Sequence, residues 1–333
     1  MAPNIDAIKK RLGPELMSFE LNPPEKENLS QQMQDHFGHL RTLLDRVPEI
    51  GAINLPEIQE EEQKGDRGDR KSSFKSRLTP REYTRKLKKS FECEYIINRV
   101  IVQASEASQE RWFIDCHNQD EIKSIVLVGG ESSDIDYPGP SVTDGNRLIK
   151  EYLNQGTTKH GHQLPAPTEF LVGNICISTR RRDDFDEPDR MIKKVKSGCD
   201  FFTTQIIAES ESPIDLLRDL GQALQERNVQ PPAILWSITP FNSEKDVNFL
   251  RWLGVRIPDS IEEKILGSED PAETSLKHHR NLWNDLREAE EQLDVNIPIG
   301  LNISPIAIRN LEVSVQLAET LRSIQTAHTA LLP

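Results

Sequence analysis

The polar residues best placed for chemistry stand at the ends of short apolar runs. Glu20 closes the run in "LMSFELNPPEK", just before a turn built on Pro23 and Pro24. Asn54 and Glu57 follow the second run, Gln103 lies near the third, and Glu131 follows the fourth. Arg180 follows the fifth, Gln205 lies in the sixth, Phe241 and Asn242 follow the seventh, and Asn302 and Ser304 end the eighth. Carboxylates and amides dominate this set. Such groups can protonate nitrogen, hold the edge of a polar heterocycle through hydrogen bonds, and stabilise positive charge. An unprotonated Glu20 that caps the "NPPEK" turn is the competing structural reading.

The runs themselves are "LMSFEL", "GAINLP", "NRVIVQA", "SIVLVGG", "EFLVGNICIS", "DFFTTQII", "AILWSI" and "IPIGLNIS". Between them come segments with helical spacing, among them "PREYTRKLKKSF", "EPDRMIKKVKSG" and "PIDLLRDLGQALQERN". Strand alternating with helix implies parallel pairing, and continuous Val, Ile and Leu marks strands buried on both faces. Eight units in 333 residues predict a (β/α)8 TIM-type barrel, whose usual core is about 250 residues. We expect one domain over residues 1–333, with a long charged loop at about 57–80. In a barrel the C-terminal strand ends share one rim, so the polar residues above converge.

Several function classes lose their signal. The net charge of −13 speaks against nucleic-acid binding, which rewards clustered Lys and Arg. No run approaches the ~18 apolar residues of a spanning helix, and the first residues lack an apolar signal core, so a cytoplasmic protein without membrane contact is expected. Cys93, Cys116, Cys176 and Cys199 show no CxxC pairing and read as small buried thiols. No HxH or HExxH stands at a strand end, and His278 and His279 read as solvent-facing helix residues, so no metal is expected. There is neither a GxSxG elbow nor a GxGxxG fingerprint after the first strand.

Three segments resemble the methylenetetrahydrofolate reductase family, of which this chain looks like a divergent member. "MSFELNPPEK" is similar to the family's first strand, where Ser-Phe-Glu precedes a Pro-Pro turn. "MIKKVKSGCDFFTTQII" resembles its fifth helix and sixth strand, and "AILWSITPFNSEKDVNFLRWLGVRIPDSIEEKI" its strand-seven segment, with Pro240 and "GVRIP" as fixed points. The order and spacing are kept over most of the barrel.

The resemblance implies reduction of 5,10-methylenetetrahydrofolate to 5-methyltetrahydrofolate by hydride from NADH or NADPH, with FAD as relay. It implies Glu20 as general acid and Glu131 as the charge that stabilises the iminium. Gln205, Asn54 and Phe241 would contact a folate-type substrate, Phe241 either stacking on its aminobenzoate ring or packing under the loop. Lys194, Arg180 and Gln103 would contact the cofactor. Two departures stand out: Gly129, Gly130 and Glu131 replace an Arg-Gly-Asp, and "NICISTRRRDDFDEPDR" replaces the flavin-site residues after strand five. Flavin relay, direct hydride transfer and a non-catalytic pterin- or partner-binding barrel therefore all stay open, and a homo-oligomer is compatible with each.

Overall fold

The computed structural model describes residues 3–60, 74–130, 135–180 and 186–329. Eight parallel strands close into one barrel in chain order. These are β1 (Met17–Glu20), β2 (Ile50–Leu55), β3 (Glu94–Val100) and β4 (Ser124–Val128). β5 (Leu171–Cys176), β6 (Phe201–Thr204), β7 (Ala233–Ile238) and β8 (Ile299–Ile303) complete it, with β8 pairing back onto β1. Helix α1 (Ile5–Leu12) precedes β1 and α2 (Leu29–Arg46) follows it. The crossings are completed by α3 (Pro80–Leu87), α4 (Glu106–Asp120), α5 (Val142–Arg147), α6 (Glu187–Lys196) and α7 (Glu211–Glu226). Beyond β7 come α8 (Glu244–Trp252), α9 (Asp259–Leu266) and α10 (Pro271–Glu291), and α11 (Leu311–Thr329) follows β8.

Local chemistry starts these helices. Thr79 caps α3 by accepting from the Glu82 backbone N–H at 3.2 Å, and the Glu82 carboxylate accepts from the Thr79 N–H at 2.8 Å, a reciprocal capping box. Pro188 enters α6 in its first turn, where its missing N–H costs nothing.

Successive side chains of a strand point to opposite faces. The outward set, including Met17, Phe19, Ile53, Trp236, Leu301 and Ile303, joins the helices in the main apolar cluster. The inward set at the start of the strands forms a second one, with Leu16, Ala52, Ile96, Val126, Leu171, Phe201 and Leu235 packed on Ile8 and Leu12 of α1. That layer closes the barrel floor. Gly173 is required here, because a Cβ would stand 2.5 Å from the Phe201 ring.

One expected element is displaced. The third strand is "EYIINRV", and Ile101–Gln103, expected within it, forms a single 3-10 turn. The apolar run continues through Ile101 and Val102, both buried, so composition alone carries the strand pattern past its end. Among the described residues no helix is long and apolar enough to cross a membrane.

Candidate functional site

Two residues beyond the floor layer, each inward position lies nearer the C-terminal mouth. There the side chains change character: Ser18 follows Leu16, Asn54 follows Ala52, Asn98 follows Ile96, Thr203 follows Phe201 and Ser237 follows Leu235. Asn302 of β8 faces the same interior and joins Ser18, Ser237 and Ser304 in one buried network. Ser18 Oγ donates to Asn302 Oδ1 at 2.9 Å, and Asn302 Nδ2 donates to Ser237 Oγ at 3.0 Å and Ser304 Oγ at 2.9 Å.

Glu20 stands at the upper edge of this network, half-buried at the end of β1. Asn54 Nδ2 donates to its Oε2 at 3.3 Å. Burial pushes its carboxyl from 4.5 up to about 7, against the pull of hydrogen bonds from Asn302 and Ser304. A carboxyl poised there is able to give or take a proton near neutral pH.

Three buried polar atoms of this layer have no hydrogen-bond partner: Asn54 Oδ1, Asn98 Oδ1 and Thr203 Oγ1. Each such atom costs about 1–3 kcal/mol relative to a satisfied one. They belong to three different strands and lie on the inward face of the barrel, two acceptors and a hydroxyl whose hydrogen-bonding capacity is unused.

The other expected site residues are distributed differently. Gln205 follows β6 on the inward register, but its Nε2 donates to the Leu253 carbonyl at 2.9 Å and its Oε1 accepts from the Ile206 N–H at 3.0 Å. Phe241 packs under the loop: it is 1% exposed, lies edge-on to His279 at 5.5 Å, and joins Ala208, Val247 and Leu250. His279 is itself fully buried, its imidazole pushed down to about 3 by burial, which corrects the solvent-facing expectation. The α10 face that carries it packs inward, as Leu282, Trp283 and Leu286 on the same helix also do. Glu131 lies outside the described residues.

Two of the three expected cofactor contacts, Lys194 and Arg180, lie near one another and are already engaged. Lys194 Nζ donates to the Ile175 carbonyl at 2.6 Å, and Arg180 Nη1 reaches the buried Glu187 carboxylate at 3.2 Å. Both charges are thus committed to groups beside β5 and α6. Gln103 is exposed at the rim. Glu57 is likewise occupied, holding Arg99 at 2.6 Å and the Val100 N–H at 2.8 Å. Cys116, Cys176 and Cys199 are buried free thiols, and Cys93 is partly exposed. Among the described residues no group of three or more His, Cys, Asp or Glu is placed to hold a metal ion.

No family model matches the chain, and no curated protein matches it. Among solved structures, it is similar to an uncharacterised protein from Clostridium thermocellum that binds two copies of 5-methyl-5,6,7,8-tetrahydrofolic acid. Identity is 22%, the TM-score is 0.71, and the match covers 92% of this chain and 95% of that one. The two chains share the barrel fold. Dihydropteroate synthase of Xanthomonas albilineans matches at 9% identity and a TM-score of 0.45, over 93% of this chain and 91% of that one.

Sequence reasoning did not single out Asn98, Thr203, Ser18 or Ser237. Each is a polar residue at an alternate position of an otherwise apolar strand, two steps after an apolar inward neighbour, and that pattern is the signal that could have found them.

Proposed function

We propose that the mouth of this barrel binds a reduced folate and reduces 5,10-methylenetetrahydrofolate to 5-methyltetrahydrofolate, with NADH or NADPH as co-substrate and Glu20 as the proton donor. One observation carries the reading: a carboxyl held near neutrality stands among buried amides and hydroxyls with unused hydrogen-bonding capacity. The methylene bridge resists hydride until one C–N bond opens. A proton from Glu20 to the departing nitrogen opens it and leaves an iminium, and hydride then adds to the methylene carbon. Proton and hydride together supply the two electrons and two hydrogens of the product. Asn54 Oδ1, Asn98 Oδ1 and Thr203 Oγ1 are the groups we assign to the pterin edge, and Gln205 joins them once its contact with Leu253 is exchanged.

Flavin enters differently. Where they stand, Lys194 and Arg180 do not fit a flavin phosphate, since the Ile175 carbonyl and Glu187 already hold them. A second reading, a folate-binding barrel without turnover, is equally compatible with the structural neighbour, which binds 5-methyl-5,6,7,8-tetrahydrofolic acid.

The test is Glu20→Gln. Reduction of methylenetetrahydrofolate with NADH or NADPH should be lost while 5-methyltetrahydrofolate still binds by calorimetry. Normal turnover in the variant would sink the acid role, and binding without turnover in the native chain would select the second reading. Visible absorbance of the purified protein reports separately on flavin.

A further inference from the structure

Glu20 is flanked by one polar residue from each neighbouring strand. The β1–β2 register pairs it with Asn54. The β1–β8 register pairs Ser18 with Asn302 and Phe19 with Ile303, so the next step along both strands brings Glu20 beside Ser304. Just beyond, Asn22 Nδ2 donates to the Pro305 carbonyl at 3.3 Å and ties the ends of β1 and β8 together. Asn302 stands one layer below Glu20 on the same inward face and is fully buried.

Every hydrogen-bonding position of the Asn302 amide is used. Its Oδ1 accepts from Ser18 Oγ at 2.9 Å and from Asn54 Nδ2 at 3.5 Å. Its Nδ2 donates to the Ser237 and Ser304 hydroxyls at 3.0 and 2.9 Å. An amide has two donors and two acceptor lone pairs, so four contacts fix the orientation of this one.

The consequence falls on the two flanking groups. Asn54 Nδ2 is shared between Asn302 Oδ1 and Glu20 Oε2, which it reaches at 3.3 Å. Asn302 thus holds the donor end of the Asn54 amide towards Glu20. Ser304 Oγ already accepts from Asn302, and a hydroxyl carries a single proton, which is left for the Glu20 carboxylate.

We infer that Asn302 is a positioning residue for Glu20: it aims one donor from each flanking strand, the Asn54 amide and the Ser304 hydroxyl, at the carboxylate left when the proton departs. The inference rests on the reading of Glu20 as the proton donor. Burial favours the neutral carboxyl, whereas donors aimed at the charged form favour ionisation. Among the described residues no charged side chain acts on Glu20, and the Asn302 and Ser304 side chains are what opposes its burial. Without these donors the carboxyl would hold its proton more tightly and release it less readily.

The experiment follows Glu20 directly, by pH-difference infrared spectroscopy of its carboxyl band, assigned as the band missing from Glu20→Gln. Ser304→Ala should move the titration midpoint upward by roughly one pH unit, and Ser304→Thr, which keeps a hydroxyl, should restore it. Asn302→Leu removes all four contacts and should move the midpoint at least as far. Ser237→Ala weakens the same network but leaves both aimed donors in place, so the midpoint should stay where it is. The high-pH limb of methylenetetrahydrofolate reduction should move in step with the infrared midpoint. An unmoved midpoint in Ser304→Ala, or an equal movement in Ser237→Ala, would overturn the inference, because the network would then serve the fold alone. Midpoints that move as expected in a chain that does not turn over methylenetetrahydrofolate would support the positioning of the carboxyl and count against the reductase reading.

Discussion

The floor and the mouth of this barrel are made by the same strands and differ by two residues along each. At the floor, Leu16, Ala52, Ile96, Phe201 and Leu235 pack on one another and on α1. At the mouth, Ser18, Asn54, Asn98, Thr203 and Ser237 occupy the same face, roughly 6.6 Å further along. Stability and chemistry are therefore divided along the strands, with each of these five strands in both camps. The floor has its contacts complete, whereas the mouth leaves polar atoms unpaired inside the protein. A fold tolerates that cost when a neighbouring layer supplies the burial energy, and here the two layers are adjacent.

Two positions separate the floor from the mouth most sharply. Glu20→Gln acts on the mouth, and turnover should fall by about 10²–10⁴-fold, or roughly 3–5 kcal/mol of barrier, with the urea midpoint little changed at or below about pH 4.5, where the folded chain already holds this carboxyl protonated. Phe201→Ala acts on the floor. It should cost about 3–5 kcal/mol of stability by denaturant titration while folate affinity is retained. If Glu20→Gln proved to be mainly a stability variant, the division between the layers would be wrong.

pH supplies the next largest effect. The Glu20 carboxyl is raised in the folded chain from 4.5 to about 7, so the native state holds its proton more tightly than the unfolded chain does. Its contribution to stability is full below about pH 4.5 and is lost as pH rises towards 7, by at most about 3 kcal/mol. His36 and His279 work in the opposite direction. Burial lowers them from 6.5 to about 4 and about 3, so their contribution is present above pH 6.5 and is lost as pH falls through those values. Denaturation across this range should show both arms, and Glu20→Gln should remove its share of the decline between pH 4.5 and 7. Turnover should decline above about pH 7, where the acid form is depleted.

The barrel was legible because eight apolar runs alternate with helical spacing, and a parallel sheet buried on both faces has few other sequence forms. Glu20 was legible because it ends such a run. Asn98 and Thr203 were harder to see, since their importance depends on which face of the strand turns inward, a phase set only when β8 closes on β1. The shifted third strand has a local cause: Ile101 and Val102 are as apolar as the strand they follow. Phe241 illustrates a general ambiguity, because an aromatic after a strand serves equally as a ligand platform or as cover for a satellite core, and α10 decides the matter by placing His279 against it.

The smallest effect is the most discriminating. Thr203 Oγ1 is buried without a partner, whereas Ser237 Oγ accepts from Asn302 Nδ2 at 3.0 Å. Thr203→Val removes a hydroxyl that satisfies nothing in the ligand-free chain and should stabilise it by up to about 1 kcal/mol. Ser237→Ala leaves the Asn302 amide short of an acceptor and should destabilise by about 1–2 kcal/mol. Folate affinity should move the other way for Thr203→Val, weakening by about fivefold if the hydroxyl meets the ligand, since one net hydrogen bond is worth about 1 kcal/mol. A Thr203→Val chain that lost stability and kept its affinity would mean that the hydroxyl serves the fold, and the mouth would then differ from the floor in polarity without being arranged for a ligand at that position.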